Sequence, residues 1–386
     1  MTKSWKTKLI HSDAKIPQGY RSLATPTFRG STTLFPSASA VQDTWDQWRV
    51  GYTYGLYGTP TALELAARIC ELESGTRTIL TPGGQAAISL INFALLQSGD
   101  HLLIPASVYY PNRKLATRLL SRFGVSADFY DPCIGADIAS LIQKNTRLIW
   151  CESPGSITME VQDLPAIVKA AHEHNVKVVL DNTWSAGVLL DAFSHGVDVT
   201  MQAITKYIGG HSDVLLGSIT VRDDGLYQRL GAAQQVMGCG VSPDDCSLAL
   251  RGLQTLAVRL AAIESSALTI ARWLHARPEI ELVLHPALPS CPGHEFWTRD
   301  FLGSSGVFSV VLKPGPTQQQ VHAFVDALKL FQVGYSWGGV ASLAVAYDIG
   351  RIPGRPAYEH RIGRLNIGLE ATDDLLADLE QALAKL

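Results

Sequence analysis

One lysine stands in surroundings that are unusual for a charged side chain. Lys206 lies in the stretch DVTMQAITKYIGGHSDVLLG, with Ile204, Tyr207 and Ile208 beside it and two glycines just beyond. Burial favours the neutral form of an amine, and a neutral amine is a nucleophile. Lys206 is therefore a candidate for covalent chemistry, although a lysine that merely extends to water from the end of a strand fits the same pattern.

A carboxylate at the end of an apolar run precedes this lysine. Asp181 closes the segment VKVVLD, where an unpaired charge would be costly, so the side chain requires a cationic partner. The protonated ring nitrogen of a ligand would serve that purpose. A helix N-cap or an ion pair with a nearby arginine is the structural alternative.

Two more features follow strand-like segments. The turn TPGGQAA at 81–87 carries two glycines. Backbone N–H groups at the start of a helix bind phosphate, and glycine permits close approach. An ordinary tight turn explains the segment equally well, because it matches neither G-x-G-x-x-G nor the P-loop pattern. Tyr109 follows the segment HLLIP, where its ring either stacks on a flat ligand or packs at the rim.

Together these features describe one cofactor. A phosphate cradle, a stacking aromatic ring, a carboxylate for a ring nitrogen and a lysine for a Schiff base are the groups that pyridoxal phosphate requires. Thr205 places a hydroxyl next to the lysine. We therefore predict that pyridoxal 5'-phosphate binds through Lys206.

The elements that must position these residues alternate along the chain. Strand-like segments (RTIL, HLLIP, SADFY, RLIWCES and VKVVLD) are separated by helical ones such as QAAISLINFALLQ and DLPAIVKAAHEHN. This alternation predicts a parallel α/β sheet with helices on both faces, whose ligands collect at the carboxyl ends of the strands. Thr61 is expected to cap the helix TALELAARICELE.

Three regions are expected along the chain. Residues 1–55 are irregular and rich in Thr, Ser, Pro and aromatic residues. They are predicted to pack on a partner subunit, because exposed aromatic side chains make a poor monomer surface. Residues 56–245 form the large cofactor-binding domain. Residues 246–386 form a smaller α+β domain, which opens with one long helix over LALRGLQTLAVRLAAIESSALTIARWLHA.

Composition excludes several classes of protein. The net charge is −3 and no basic block occurs, so neither nucleic acid nor an anionic membrane is an expected partner. The apolar run AAISLINFALL is too short to span a bilayer, and MTKSWKTKLIHSD lacks the apolar core of a signal peptide. Six cysteines without a C-x-x-C pair indicate reduced thiols and no metal site. We expect a cytoplasmic protein.

Over nearly its whole length the sequence resembles the pyridoxal-phosphate-dependent enzymes of cysteine and methionine metabolism. The most specific motifs are DNTW, QAITKYIGGHSDV, GVSPDDCSLALRGLQTLAVRL, LHPALPSCPGHEFWTRDFLGSSGVFS and GYSWGG, and the last three point to the β-lyase branch. The resemblance implies a fold-type I enzyme with a mostly parallel seven-stranded sheet in the large domain and a smaller α+β C-terminal domain. It also implies a homotetramer, built as a dimer of dimers with active sites shared between subunits.

The resemblance assigns a role to each cofactor-binding residue. Lys206 would form the Schiff base, Asp181 would contact the pyridine nitrogen and Tyr109 would stack over the ring. Tyr54 would reach the active site of the neighbouring subunit, so Lys206, Tyr109 and Tyr54 are the expected catalytic residues. Three residues are expected at the phosphate: Gly84, Gln85 and Thr205.

The substrate side is implied in the same way. Arg364 would bind the α-carboxylate, since a bidentate guanidinium suits a carboxylate. Its expected neighbours are Tyr335, Ser336 and Trp337. Two positions depart from the family pattern. Leu56 replaces an arginine that binds phosphate in the next subunit, and Ala341 stands where relatives often have glutamate.

The expected reaction is the β-elimination of L-cystathionine to homocysteine, pyruvate and ammonia, a transsulfuration step of methionine biosynthesis. Three alternatives stay open. The first is γ-elimination or γ-replacement on a homoserine-type amino acid, and the second is a racemase side activity. The third is a non-catalytic regulator that binds the cofactor.

Overall fold

The computed structural model describes residues 22–350 and 352–386, and two β-sheets organise this part of the chain. The first sheet contains the strands β1 (Arg77–Thr81), β2 (His101–Pro105), β3 (Ser126–Tyr130), β4 (Thr146–Glu152), β5 (Lys177–Asp181), β6 (Val199–Gln202) and β7 (Gly217–Val221). Their spatial order is β1-β7-β6-β5-β4-β2-β3. Only β7 pairs antiparallel, with β1 and with β6. The predicted mostly parallel seven-stranded sheet is confirmed.

Helices cover both faces of this sheet. They are α1 (Gln47–Val50), α2 (Pro60–Leu72), α3 (Gly84–Leu95), α4 (Tyr110–Lys114), α5 (Leu164–Glu173) and α6 (Asp224–Met237). Alternation along β5 shows the two faces directly. Val179 packs in a cluster with Ile91 of α3, whereas Leu180 packs on the opposite side with Ile167 of α5. Successive residues of a strand point to opposite faces, so both faces of β5 are buried in apolar side chains.

The second sheet is smaller and largely antiparallel. Its strands are β8 (Ile280–Leu284), β9 (Val307–Leu312), β10 (Gln332–Val333), β11 (Leu343–Tyr347) and β12 (Ile362–Asn366), in the spatial order β10-β11-β12-β9-β8. The accompanying helices are α8 (Leu256–His275), α9 (His294–Asp300), α10 (Gln318–Asp326) and α11 (Thr372–Leu383), whereas the preceding helix α7 (Pro243–Gln254) packs against α2 of the first unit. The helices α8, α10 and α11 bury a separate apolar cluster against this sheet, which confirms the smaller α+β unit.

The predicted N-terminal arm is described only in part. Its residues 1–21 lie outside the described residues. Between Ser22 and Gly55 the chain is irregular apart from a short 3₁₀ turn at Ala38–Ala40, the helix α1 and an isolated bridge between Thr32 and Tyr54.

The predicted cap of α2 is wrong by two residues. The N-cap residue is Thr59, and Thr61 lies inside the first turn. The Thr61 hydroxyl bonds instead to the arm, because it donates to Pro26 O at 2.9 Å and accepts the Phe28 N–H at 2.8 Å. A tertiary contact thus takes the hydroxyl that the local pattern assigned to capping.

The predicted single long helix is also wrong, because α7 and α8 meet at a bend of 61°. Thr255 interrupts the helix, and its hydroxyl donates to Gly252 O at 3.2 Å. Gly252 lies so close to another segment that a Cβ there would be 2.3 Å from Ile208 O. The guanidinium of Arg259 donates to Gly252 O at 2.8 Å, which satisfies a carbonyl at the end of α7.

Among the described residues, no single helix is long and apolar enough to cross a membrane. The bent pair of α7 and α8 reaches the required length and composition only when its two helices are counted together.

Candidate active site

Strand ends bring the predicted residues to one edge of the first sheet. Glu152 ends β4 and Asp181 ends β5, and these two residues are direct neighbours in register. Lys206 follows β6 and Tyr109 follows β2. Strand β1 runs in the same direction as β6, because both pair antiparallel with β7, and it leads into the helix that begins at Gly84.

A segment of the smaller unit closes over Lys206. The Lys206 Nζ donates to Ser336 Oγ at 2.5 Å and lies 5.4 Å from the centroid of the Trp337 ring. Gly338 permits this approach: its φ is +84°, and a Cβ there would lie 2.8 Å from Tyr207 N. Ser336 itself has a φ of +93°, which is costly for a residue with a side chain. The backbone therefore accepts strain where it meets the lysine.

The surroundings of Lys206 favour its neutral amine. Burial, and then the positive charge of Arg364, lower the pKa of Lys206 to about 8, while the carboxylate of Asp181 opposes the shift. An ordinary lysine titrates near 10.4. A larger fraction of this amine is therefore neutral, and so nucleophilic, at neutral pH than in a surface lysine.

A threonine two residues further on fixes Asp181. The hydroxyl and the N–H of Thr183 donate to Asp181 Oδ1 at 2.5 and 3.1 Å, and the same hydroxyl accepts the Ala203 N–H at 2.9 Å. Burial raises the pKa of Asp181, whereas the Thr183 bonds and the charge of Lys206 lower it. In the described part of the chain, Asp181 Oδ2 has no hydrogen-bond partner, so this oxygen is free for a cation.

The start of α3 lies against the lysine loop, which is the segment 203–216 between β6 and β7. A Cβ at Gly84 would be 2.8 Å from the Cβ of Ala203, so only glycine allows this contact. The N-cap is Gly83, which has no side chain to satisfy the N–H groups of the first turn. The Gln85 Oε1 is buried and has no hydrogen-bond partner among the described residues. Such a helix start is suited to bind an anion.

Tyr109 follows β2 as the N-cap of α4 and is 43% exposed. Its N–H donates to Glu152 Oε2 at 2.6 Å. Burial raises the pKa of the Tyr109 phenol, and the carboxylates of Asp181 and Glu152 raise it further. Burial and the adjacent Asp181 likewise raise the pKa of Glu152 well above its usual range. An aromatic ring and two carboxyl groups thus share this corner of the site.

Arg364 lies buried on β12 with few partners. Its Nη2 donates to Ser336 O at 3.4 Å, and its guanidinium carbon lies 5.3 Å from the centroid of the Tyr347 ring. Tyr335 is exposed, and its ring lies 6.2 Å from that of Tyr347. No salt bridge joins Arg364 to a carboxylate of the described chain, and burial lowers its pKa. A buried guanidinium of this kind favours an anionic ligand.

Another arginine holds the lysine loop in place. Arg259 of α8 donates to Tyr207 O at 2.8 Å, next to Lys206, as well as to Gly252 O. A Cβ on Gly210 would lie 2.1 Å from this guanidinium. The turn after β6 is therefore anchored directly to the junction of α7 and α8.

Two predicted cofactor residues lie in other contacts. The Thr205 hydroxyl donates to Leu216 O and accepts the Leu216 N–H, both at 3.1 Å, so a phosphate contact would require this hydroxyl to reorient. The Tyr54 ring lies 6.1 Å from that of Tyr57. No hydrogen bond or aromatic contact in the described residues joins Tyr54 to Lys206.

The two departures from the family pattern lie away from the lysine contacts described above. The Leu56 side chain packs in its own subunit, because a Cβ at Gly240 would be 2.9 Å from Leu56 Cδ1. Leu56 also lines a small cavity with Trp45 and Trp48. Ala341 is exposed, and its carbonyl accepts a hydrogen bond from Asn366 Nδ2 at 3.1 Å.

Sequence reasoning missed three residues of the site. Glu152 ends the segment RLIWCES as Asp181 ends VKVVLD, so the same signal was present for both. Thr183 lies within the DNTW motif, and a hydroxyl two residues after a carboxylate is a recognisable turn pattern. Tyr347 gave no local signal, because its contact with Arg364 depends on the pairing of β11 with β12.

The residues present fit pyridoxal phosphate. The uncapped start of α3 suits the phosphate, and Asp181 Oδ2 suits a protonated ring nitrogen. The lysine amine, with its lowered pKa, lies near Asp181, and the loop that carries it contacts Gly84 at the start of α3. The chemistry of this donor set therefore matches the cofactor predicted from the sequence.

Comparisons with known proteins agree with this geometry. The family model of Cys/Met metabolism PLP-dependent enzymes matches residues 6–384. The chain is 44% identical to a putative cystathionine beta-lyase of Rhizobium johnstonii, over 93% of this chain and 90% of that protein. It is 41% identical to the cystathionine beta-lyase MetC of Escherichia coli, over 93% and 92%.

A solved structure gives the same result at the level of the fold. The cystathionine gamma synthase of Xanthomonas oryzae pv. oryzae superposes with a TM-score of 0.86 at 30% identity. The match covers 94% of this chain and 93% of that one. The chain thus belongs to the family of Cys/Met metabolism PLP-dependent enzymes.

Proposed function

We propose that this enzyme is a carbon–sulfur lyase that eliminates at Cβ of L-cystathionine and releases homocysteine, pyruvate and ammonia. The observation that carries the proposal is the position of Lys206 Nζ, 2.5 Å from Ser336 Oγ, where the Ser336 carbonyl accepts from Arg364. A basic amine next to a carboxylate-binding group suits removal of the Cα proton of an amino acid. The names of the two lyase relatives support β-elimination.

The side chains divide the work. Pyridoxal phosphate, when bound, supplies an electron sink for the charge that develops at Cα. Lys206 removes the Cα proton with its neutral amine, and Asp181 keeps a proton on the ring nitrogen. Arg364 binds the α-carboxylate through two parallel N–H donors. Tyr109 stacks on the ring, and the thiolate leaves from Cβ.

The remaining predicted residues receive supporting roles in this proposal. Residues at the helix start and the lysine loop bind the phosphate: Gly84, Gln85 and Thr205. Residues of the closing segment border the substrate: Tyr335, Ser336 and Trp337. Tyr54, which is 44% exposed, serves the active site of a neighbouring subunit.

Assembly and location complete the proposal. A homotetramer with shared active sites would cover exposed aromatic side chains near the arm, such as Trp48, Tyr52 and Tyr54. We place the N-terminal arm at residues 1–55, the cofactor-binding domain at 56–245 and the small domain at 246–386. All six cysteines are free thiols, as suits a reducing cytoplasm. The role in methionine biosynthesis follows from the proposed release of homocysteine.

Light scattering after gel filtration measures the assembly: four chains per particle are expected, and a stable monomer would contradict the proposed tetramer.

Product analysis tests the reaction. Purified enzyme loaded with pyridoxal phosphate is incubated with L-cystathionine, and the keto acid and free thiol are identified by mass spectrometry. Equal amounts of pyruvate and homocysteine are expected. A protein that binds the cofactor but forms no keto acid would instead be a regulator.

γ-Chemistry is the second candidate, because the superposed solved structure is named a gamma synthase. The same assay separates the two reactions. Elimination at Cγ of cystathionine yields 2-oxobutanoate and cysteine, so a majority of these products would overturn the β-lyase proposal. Chiral chromatography of unreacted amino acids detects a racemase side activity in the same samples.

A further inference from the structure

A single peptide group next to Tyr109 is held at both ends by ionisable side chains. The peptide joins Val108 to Tyr109. Glu152 Oε2 accepts its N–H at 2.6 Å, and Arg355 Nη2 donates to its carbonyl at 3.0 Å. Peptide groups are most often satisfied by other backbone groups, so two side-chain partners on one peptide are unusual.

The two side-chain partners come from different parts of the fold. Glu152 ends β4, in register with Asp181. Arg355 lies between β11 and β12, in the chain that forms the second sheet. The orientation of this peptide therefore depends on both units of the molecule at once.

Arg355 is itself fixed on the first unit. Its Nη1 donates to Ser156 O at 2.5 Å and to Thr158 Oγ1 at 2.9 Å, both in the loop that follows β4. A reciprocal contact runs the other way, because Arg113 of α4 donates to Pro353 O at 3.0 Å. The short segment 353–355 is thus docked beside Tyr109 by two arginines that donate in opposite directions.

Close backbone packing supports the same docking. Gly354 has a φ of +77°, and a Cβ there would lie 3.0 Å from the Cβ of Ala106, one residue after β2. Burial lowers the pKa of Arg355. Desolvating a guanidinium is costly unless its donors are used, and three of them are used here to hold loops next to Tyr109.

We propose that Glu152 and Arg355 are positioning residues that clamp the Val108–Tyr109 peptide, and that they make the orientation of the Tyr109 ring depend on the docking of segment 353–355. This inference rests on the proposed role of Tyr109 as the ring that stacks on the cofactor. In this proposal the clamp acts on the reaction only through Tyr109. Its effect is to transmit the position of the smaller unit to the stacking ring.

The first test measures the orientation of the cofactor directly. Visible circular dichroism of the bound cofactor depends on the asymmetric surroundings of its ring, so Arg355→Met should reduce this signal severalfold. Since small misplacements of a positioned group lower rates steeply, kcat should fall about 10- to 100-fold. The matched control is Arg361→Met, because Arg361 also donates to a backbone carbonyl, Leu312 O, but within the second sheet. The control should keep the dichroism and kcat of the wild type.

Conservative variants separate positioning from general damage. Glu152→Gln keeps an oxygen that accepts the Tyr109 N–H and should retain the dichroism, whereas Glu152→Ala should lose it. The double variant Glu152→Ala/Arg355→Met should lose little more dichroism and kcat than the poorer single variant, because both changes release the same peptide. If Arg355→Met fails to fold, Arg355→Lys serves instead, since lysine lacks the two separate nitrogens, Nη1 and Nη2, that donate to Ser156 O and Val108 O.

Tyr109→Ala distinguishes failure of the clamp from failure of the proposed function. If Tyr109→Ala changes the dichroism while Arg355→Met and Glu152→Ala do not, the clamp is refuted and the role of Tyr109 stands. If Tyr109→Ala leaves both dichroism and kcat unchanged, the assignment of Tyr109 in the proposed function is refuted, and the clamp with it. If the losses caused by Glu152→Ala and Arg355→Met add fully in the double variant, the two residues do not act on the same peptide and the clamp is refuted.

Discussion

The two halves of the site are built in different ways. The cofactor half consists of strand ends and the first turns that follow them in the first sheet, where Asp181, Lys206 and Gly84 meet. The proposed substrate half comes from the smaller unit, where Ser336 lies in a loop with a φ of +93° and Arg364 is buried on β12 without a carboxylate partner in the described chain. Regular structure fixes the first half, whereas docking between units fixes the second. Changes in the two halves should therefore fail in different ways.

Removing the lysine should produce the largest effect, because it belongs to the cofactor half and acts on the substrate as well. Lys206→Ala should lower turnover by at least about 10³-fold, since it removes both the covalent anchor and the base. The visible absorbance of the bound cofactor should change at the same time. Lys169→Ala, at an exposed helix position, is the control. Normal turnover in the Lys206 variant would remove the lysine from its role.

Removing Arg364, the proposed partner of the α-carboxylate, should act mainly on the substrate half. Arg364→Ala should reduce kcat/KM by the equivalent of about 2–5 kcal/mol, because the α-carboxylate loses a desolvated charge pair. The absorbance spectrum of the bound cofactor should stay that of the wild type. Steady-state kinetics with cystathionine and with the matching amine that lacks the carboxylate provide the measurement. Equal processing of both compounds by the wild type would show that Arg364 does not bind the α-carboxylate.

Neutralising Asp181 should weaken the cofactor half without removing the cofactor. An opposite charge shifts the pKa of its partner by about 1–3 units, so Asp181→Asn should cost about 1–4 kcal/mol in kcat/KM. Thr183→Val should show a smaller loss, since the carboxylate remains but loses the hydroxyl that donates to it. Spectrophotometric titration of the bound cofactor follows the ring proton. An unchanged titration in Asp181→Asn would exclude the contact.

An arginine at position 56 tests whether the cofactor half extends across the subunit boundary. Leu56→Arg should bind pyridoxal phosphate more tightly by about 1–3 kcal/mol, because a charge-assisted contact to phosphate is added. The gain should shrink as the salt concentration rises. Equilibrium dialysis measures the affinity. The Leu56 side chain packs against Gly240 in its own subunit, so an unchanged affinity would assign it to packing or to the substrate channel.

The smallest effect should reveal the coupling between the halves. The charge of Arg364 helps to lower the pKa of Lys206, so Arg364→Ala should raise that pKa by about one unit or less from its value near 8. An amine-reactive probe on the cofactor-free protein reports the neutral fraction, which grows as pH rises through the pKa. The variant should therefore need a higher pH for half-maximal labelling. Identical pH profiles for the wild type and Arg364→Ala would show that the charge of Arg364 does not affect the pKa of Lys206.

The sequence predicted the cofactor half better than the substrate half for a physical reason. Lys206 and Asp181 end apolar runs, and the alternation of strands and helices places such ends at one edge of a parallel sheet. Arg364 and Ser336 were found only through resemblance to a family. Their contacts depend on how the two sheets dock against each other. The local spacing of apolar residues in the sequence carries no information about that docking.

Tertiary contacts also explain the residues that were missed or wrongly interpreted. Glu152 carries the same signal as Asp181, but its importance follows from the register of β4 against β5. Thr61 bonds to the arm rather than capping α2. The predicted long helix breaks at Thr255, next to Gly252, where the lysine loop packs closely against the helix backbone. In each case a distant segment overrides a local preference.

The bend between α7 and α8 has a mechanical consequence. Arg259 ties this bend to the backbone next to Lys206, so the joint between the two units lies beside the reactive amine. A rotation about a nearby pivot moves close atoms little and distant atoms much. We expect the backbone next to Lys206 to stay nearly still when the smaller unit rotates about this bend. The fold would thus let the smaller unit move without disturbing the backbone that carries the amine.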